Sequence, residues 1–447
     1  MAAKTLIDVD KHFKKTPVGL EQFDELYVNA DEGRGNIPTC KRLQRTLNNE
    51  PDGALKILFA GHKGCGKSTE LVRLQREIKN DFIVLNYSVL KELDIVNINY
   101  MELFIATMEQ LFKFVERDER VKVDDKYFEN VKNWLKTEEI KDINNNYMGM
   151  NIEGQVKAKL TVPFLASFFS KFRTAAKTSS SMKKTLIQKI EPKLSDLIFH
   201  CNALINEIKG QLPDIGKKGL LIIIEDLDKV DLQRGEDIFY IHSTQLTQLN
   251  CHCIFTFPIS LMYNIKYKNI ITRYNETFVL PMIKVNNKDG KKNENGTRVI
   301  RNIVLRRMDE SLFENLKYLS KMIALSGGCL LDLFCMIKEA ASTALDFDRE
   351  KICQSDYESA YRALKSDYER TIAENTEKKI TVDQYYQALS DCAFDEQKKP
   401  KFTDIILDLM NNLTILNYNG DNWCDTHPVV KEILKEHGIT KNDINGK

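Results

Sequence analysis

Eight residues near the start of the chain leave few architectures open. Gly61-His62-Lys63-Gly64-Cys65-Gly66-Lys67-Ser68 matches G-x-x-x-x-G-K-[ST] in full. An apolar run, KILFA at 56–60, precedes it, and TELVRLQREI follows with Leu71, Leu74 and Ile78 at helical spacing. Strand, glycine turn and helix are the setting this pattern requires. Glycines let the main chain wrap phosphate oxygens with no Cβ in the way, so that the N–H groups from Gly61 to Thr69 turn inward. The helix N-terminus adds a partial positive charge. Lys67 is expected on the β- and γ-phosphates and the Ser68 hydroxyl on Mg²⁺.

A second apolar run, Gly219-Leu-Leu-Ile-Ile-Ile224, ends in Glu225-Asp226-Leu227-Asp228, the Walker B arrangement. One carboxylate there holds the Mg²⁺ shell, and the next orients or deprotonates the attacking water. The preferred register makes Glu225 the metal-side acid and Asp226 the water-polarising one. In the alternative register Asp226 meets the metal, and Asp228 lies too far along to be the base. A third strand at 251–257 follows an amphipathic helix near 234–249 and carries Thr256, which can hydrogen-bond the water or the γ-phosphate. Cys251-His252-Cys253 has no second ligand pair at zinc spacing and reads as core thiols. A last strand at 276–285 closes the sheet, with Arg273 just before it.

Composition sets the class. Hydrophobic residues are 43% and charged residues 29% of the 447 positions, which excludes a disordered or collagenous chain and allows two to four domains. Lys and Arg number 65 against 64 Asp and Glu, so overall charge names no partner. No apolar run reaches 18 residues, and the first residues lack a signal-like apolar core. Ten scattered Cys read as reduced thiols. A soluble, cytoplasmic protein is expected.

GHKGCGKSTEL, EDLDKVD, TFPISL and a later SGG helix together resemble the AAA+ ATPases, above all their initiator-like and STAND-like branch, over about 20–435. EDLDK also resembles the DDLDR run of KAP-type NTPases, and the combination is similar to ATPases of bacterial anti-phage gene clusters. The resemblance implies an α/β parallel-sheet P-loop core, ATP and Mg²⁺ as ligands, and ATPase activity. It implies that Thr256 is the sensor-1 residue and Arg273 an arginine finger completing a neighbour's site in a homo-oligomer. Residues 299–345 would form a helical lid. Ser326-Gly327-Gly328-Cys329-Leu330-Leu331-Asp332-Leu333 resembles the family's S-G-G-x-x-R-D-L, with Leu331 in place of the sensor-2 arginine. Arg306 or Arg307 is the substitute cation within reach in sequence. The segment from Phe23 to Arg34 would cover the adenine.

About 130 residues separate the second strand from the acidic one, so the core carries an insertion. From Gly154 to Ile190 it has no acidic residue but holds Lys157, Lys159, Lys171, Arg173, Lys177, Lys183, Lys184 and Lys189, interleaved with Phe164, Phe168, Phe169 and Phe172. A partner-protein or self-assembly surface is the favoured reading. A nucleic-acid patch, a peripheral amphipathic membrane segment and a solvated helix compete with it. Residues 380–447 read as a winged helix with a hairpin turning at Asn419-Gly420-Asp421. Seven Lys and no Arg against eleven acids give that segment −4, which opposes entry into a DNA groove.

The expected boundaries are 1–118 and 211–298 for the two halves of the core, 119–210 for the insertion, 299–378 for the lid and 379–447 for the winged helix. The expected function is an ATP-driven switch or oligomeric regulator acting with a separate effector, plausible in bacterial defence. A DNA-binding initiator or loader and a nucleotide-holding scaffold with little turnover are the rivals.

Overall fold

The computed structural model describes residues 2–135, 190–418 and 423–439, with the single residues 170, 174, 184 and 188. The basic and aromatic stretch at 157–189 lies almost wholly outside the described residues, as does the Asn419-Gly420-Asp421 turn.

Five strands make one parallel sheet: β1 (Lys56–Gly61), β2 (Phe82–Ser88), β3 (Gly219–Glu225), β4 (His252–Pro258) and β5 (Glu276–Val279), in spatial order β2-β3-β4-β1-β5. The fold is α/β. Every residue of β1, β3 and β4 is buried, which explains why their sequences run apolar without alternation. Successive side chains still go to opposite faces. Ile57, Phe59, Leu221, Ile223 and Ile254 enter one core, shared with Leu71 and Leu74 of the helix Lys67–Ile78 and with the C-terminal third. Leu58, Leu220, Ile222, Ile224 and Phe255 enter a second core under the helices Tyr100–Arg117 and Leu194–Gln211. The strand β4 lies between β1 and β3, so the glycine loop and the acidic turn leave the same edge one strand apart.

Two sequence expectations are corrected here. The last strand ends at Val279, not at 285. Leu280 N–H still reaches the Ala60 carbonyl at 2.8 Å, but Pro281 has no N–H to continue the ladder. The helix near 234–249 is three short pieces: Leu232–Glu236, a π-helical turn Asp237–Ile241 and Ser243–Leu246. Its Ser and Thr hydroxyls bond local carbonyls (Ser243 to Tyr240 at 2.9 Å, Thr247 to Ser243 at 3.0 Å), a competition that weakens helix continuity.

Beyond the sheet stand the helices Glu294–Leu305, Leu316–Leu325, Leu330–Asp346 and Gln354–Thr371. The C-terminal segment is two helices, Val382–Phe394 and Asp404–Asn411, an antiparallel pair β6 (Ile415–Tyr418) and β7 (Trp423–Thr426), and the helix Pro428–Glu436. No helix among the described residues is long and apolar enough to cross a membrane.

Candidate nucleotide site

A cavity of about 860 Å³ opens at the C-terminal edge of the sheet, lined at one end by Gly64, Lys67, Ser68, Asp226 and Asp228. Gly64 and Gly66 take φ of 75° and 100°, the left-handed region that an L side chain resists. A Cβ at Gly64 would also lie 2.8 Å from Cys329 Sγ and from Leu331 Cβ, so the Cys329–Leu331 segment rests directly on the loop. The loop's carbonyls are bound from outside: Leu330 N–H donates to the Gly64 carbonyl at 3.1 Å, and Arg34 Nη2 to that of Cys65 at 2.7 Å. Arg34 Nη1 also donates to the Pro281 carbonyl. These contacts fix the loop's carbonyls from outside, while within the loop the Cys65 N–H donates to the His62 carbonyl at 3.3 Å.

Lys67 and Asp228 form a buried ion pair, Nζ to Oδ2 2.9 Å, with side chains 5% and 4% exposed. The same ammonium donates to the Gly61 and His62 carbonyls at 2.8 Å each. Burial works to pull the Lys67 pKa down, but the Asp228 carboxylate outweighs it, and the net displacement is upward, so Lys67 stays charged. Asp228, set aside in the sequence as too far along, is thus the acid nearest the loop lysine. A short 3₁₀ turn at Leu227–Lys229 folds it back, a placement that strand periodicity does not disclose.

The three acids part company. Glu225 turns to the Ser68 hydroxyl and accepts from Asn86 Nδ2 at 2.6 Å. Burial holds its pKa above the usual carboxylate range, partly offset by those two bonds. Asp226 sits at φ 70°, uncommon for a residue other than Gly, and faces Ser88 Oγ and Lys229 Nζ, the latter at 2.7 Å. Parallel pairing of β2 with β3 sets Ser88 opposite Glu225, which carries both Asn86 and Ser88 to the acidic turn. Hydroxyl and carboxylate oxygens at Ser68 and Glu225 are hard donors, a set that suits Mg²⁺.

Thr256 is buried, and its hydroxyl is committed to that turn: it accepts Leu227 N–H at 2.9 Å and donates to the Ile224 carbonyl at 3.4 Å. It is not among the residues lining the cavity. Arg273 is exposed beside the start of β5, which pairs with the start of β1. The loop leaves the far end of β1, about 17 Å away at ~3.3 Å per residue, so Arg273 does not join this chain's own site.

The His62 side chain faces away from the cavity. It is 2% exposed, and its Nε2 accepts the N–H of Asn417 in β6 at 2.7 Å. Leu331 lines the cavity. Arg306 bonds the Asp24 and Glu25 carbonyls at 3.1 Å each, and Arg307 those of Leu26 (3.2 Å) and Ile303 (2.8 Å). Both therefore fasten the segment Phe23–Leu26 over the cavity. Burial pushes the Arg307 pKa down to about 10. Asn86, Ser88, Asp228, Lys229 and the bracing role of Arg34 escaped the sequence reading, because each depends on packing between segments far apart in the chain.

No known family profile matches the chain, and no curated protein matches it. Among solved structures it is similar to a Walker-type ATPase of Pyrococcus abyssi (11% identity, 92% of this chain and 99% of that one, TM-score 0.41). It is also similar to the ORC2 protein of Aeropyrum pernix in ADPNP–ADP complexes (11%, 96% and 99%, 0.40) and to Cdc6p of Pyrobaculum aerophilum (10%, 96% and 98%, 0.40). At these scores the likenesses carry no argument about activity, and the functional reading rests on the site's own residues.

Proposed function

We propose that this chain is an AAA+-type P-loop ATPase, a switch whose state is set by ATP. One observation carries the reading: a buried lysine at a helix N-terminus, held by loop carbonyls and an acidic turn, faces a cavity beside a serine–glutamate pair. The amides from Gly61 to Thr69 would bind the phosphates, and Lys67 would leave Asp228 for the β- and γ-oxygens. Ser68 and Glu225 would hold Mg²⁺, which, when bound, neutralises charge on the phosphate oxygens. Asp226, next along the turn, would orient the attacking water. The apolar residues Val18, Leu26, Val28, Ile303 and Phe334 form the other end of the cavity and fit a base.

Phosphate release by the wild type and by Lys67→Ala tests this. A wild-type rate well above that of the variant is expected; equal background rates in both would overturn the hydrolytic reading. The finer proposal is that the ATPase works as a homo-oligomer with a separate effector, Arg273 completing a second copy's site. Its support is Arg273's exposure and its distance from this chain's own loop.

A further inference from the structure

We infer that Lys229, from the turn after β3, is the cation that reads the γ-phosphate, doing from the core what the lid is not equipped to do. This rests on the nucleotide-site reading above. The lid helix Leu330–Asp346 turns Leu330, Leu331 and Phe334 to the cavity, all apolar. The two nearby guanidinium groups are engaged elsewhere, Arg34 on the Cys65 and Pro281 carbonyls and Arg307 on those of Leu26 and Ile303. Besides Lys11, His12, Lys14 and Lys15 of the N-terminal segment, a triphosphate in this cavity would find four cations on the core side, beside the glycine loop and the acidic turn: Lys63, Lys67, Lys91 and Lys229.

Of these four, Lys67 is the loop's own lysine, assigned above to the β- as well as the γ-oxygens, so it does not by itself tell a diphosphate from a triphosphate. Lys91 is exposed and makes no ion pair with the acidic turn among the described residues, and Lys63 is carried by the loop itself, so it would follow the bound phosphates whatever their number. Lys229 alone is ion-paired to Asp226, the acid placed to orient the water, at 2.7 Å. Its side chain is 40% exposed and free to swing on a turn whose backbone is held by Thr256.

The two lysine–acid pairs suggest a common exchange. Each carboxylate, Asp228 and Asp226, is covered by an ammonium. A γ-phosphate offers Lys229 a more highly charged partner than Asp226, so the lysine moves across, and Asp226 is left with the Ser88 hydroxyl and a free oxygen for water. A diphosphate does not reach that point, and Lys229 stays on Asp226. The acid is thereby uncovered only when there is a γ-phosphate to cleave.

Titration calorimetry of the full chain with MgADP and with the non-hydrolysable MgAMPPNP tests the inference. In Lys229→Gln the preference for AMPPNP over ADP should fall about tenfold, the worth of one charge-assisted contact, with ADP affinity unchanged. Lys229→Arg should restore most of the preference, and the melting temperatures of both variants should match the wild type. An unchanged AMPPNP-to-ADP ratio, or an equal loss for both nucleotides, would overturn the role of Lys229 while leaving the nucleotide site standing. Uptake of neither nucleotide by the wild type would overturn both.

Discussion

Lys67 has two partners, a phosphate it is expected to bind and the Asp228 carboxylate it holds in the structure, and the second changes what its removal should do. Asp228 is buried, and no other cation lies within ion-pair distance of it among the described residues. Lys67→Ala therefore strips a buried carboxylate of its counter-ion, which typically costs about 3–5 kcal/mol. Denaturant melts should show that loss, and adding Asp228→Asn should recover much of it while nucleotide binding stays abolished. His62 provides a second residue-scale test. Burial, aided by the nearby Lys67 charge, pushes its pKa from 6.5 down to about 3, so the fold refuses a proton that the unfolded chain takes. Its contribution is complete above pH 6.5 and is lost as pH falls towards 3, by up to ~1.4 kcal/mol per pH unit. His62→Gln, whose side-chain oxygen can still accept Asn417 N–H, should show a shallower loss of stability between pH 6 and 4. Parallel slopes for the two proteins would refute the assignment.

At the scale of elements, the sheet's register does the positioning. Asn86 and Ser88 reach the acidic turn because β2 pairs with β3 residue for residue, and Thr256 reaches it because β4 lies alongside. Thr256→Val keeps the shape but leaves the buried Leu227 N–H without an acceptor, a loss of about 1–3 kcal/mol. If Thr256 acts chiefly by fastening the turn, ATP turnover in the variant should fall with stability and recover at lower temperature. A large fall in turnover at unchanged stability would point instead to direct contact with the reacting groups. Strands and helices of the core were legible because their apolar runs and helical spacings are local patterns: β1, β3 and the helix Lys67–Ile78 lie where those patterns put them. The short β5 and the broken helix near 240 were not, because a proline within an apolar run and hydroxyl bonds to nearby carbonyls act against the periodicity around them.

For the whole molecule, the C-terminal segment packs onto the glycine loop from the side away from the cavity. The strand β6 donates Asn417 N–H to His62 of the glycine loop, Asn417 Nδ2 to Tyr263 at 2.9 Å, and Tyr418 Oη to the Gly327 carbonyl at 2.6 Å. His427 Nε2 lies 3.2 Å from the Ser326 carbonyl and 3.3 Å from Asp332 Oδ2. These contacts tie the C-terminal segment to the glycine loop, to Tyr263 and to the Ser326–Asp332 segment. The proposed arginine finger belongs to this scale too: Arg273→Ala should leave ATP affinity unchanged and lower turnover only at concentrations where the wild type self-associates. A variant as active as wild type across the whole concentration range would eliminate the finger. From its sequence alone this chain declared a glycine loop between strand and helix, an acidic strand end and a parallel α/β core, since glycines, a lysine at a helix start and apolar runs constrain their immediate surroundings. Only the tertiary structure decided that Asp228 covers Lys67, that Lys229 covers Asp226 and that His62 faces the C-terminal strand. Those pairings join residues through turns and strand registers, and such through-space geometry leaves no periodic trace along the chain.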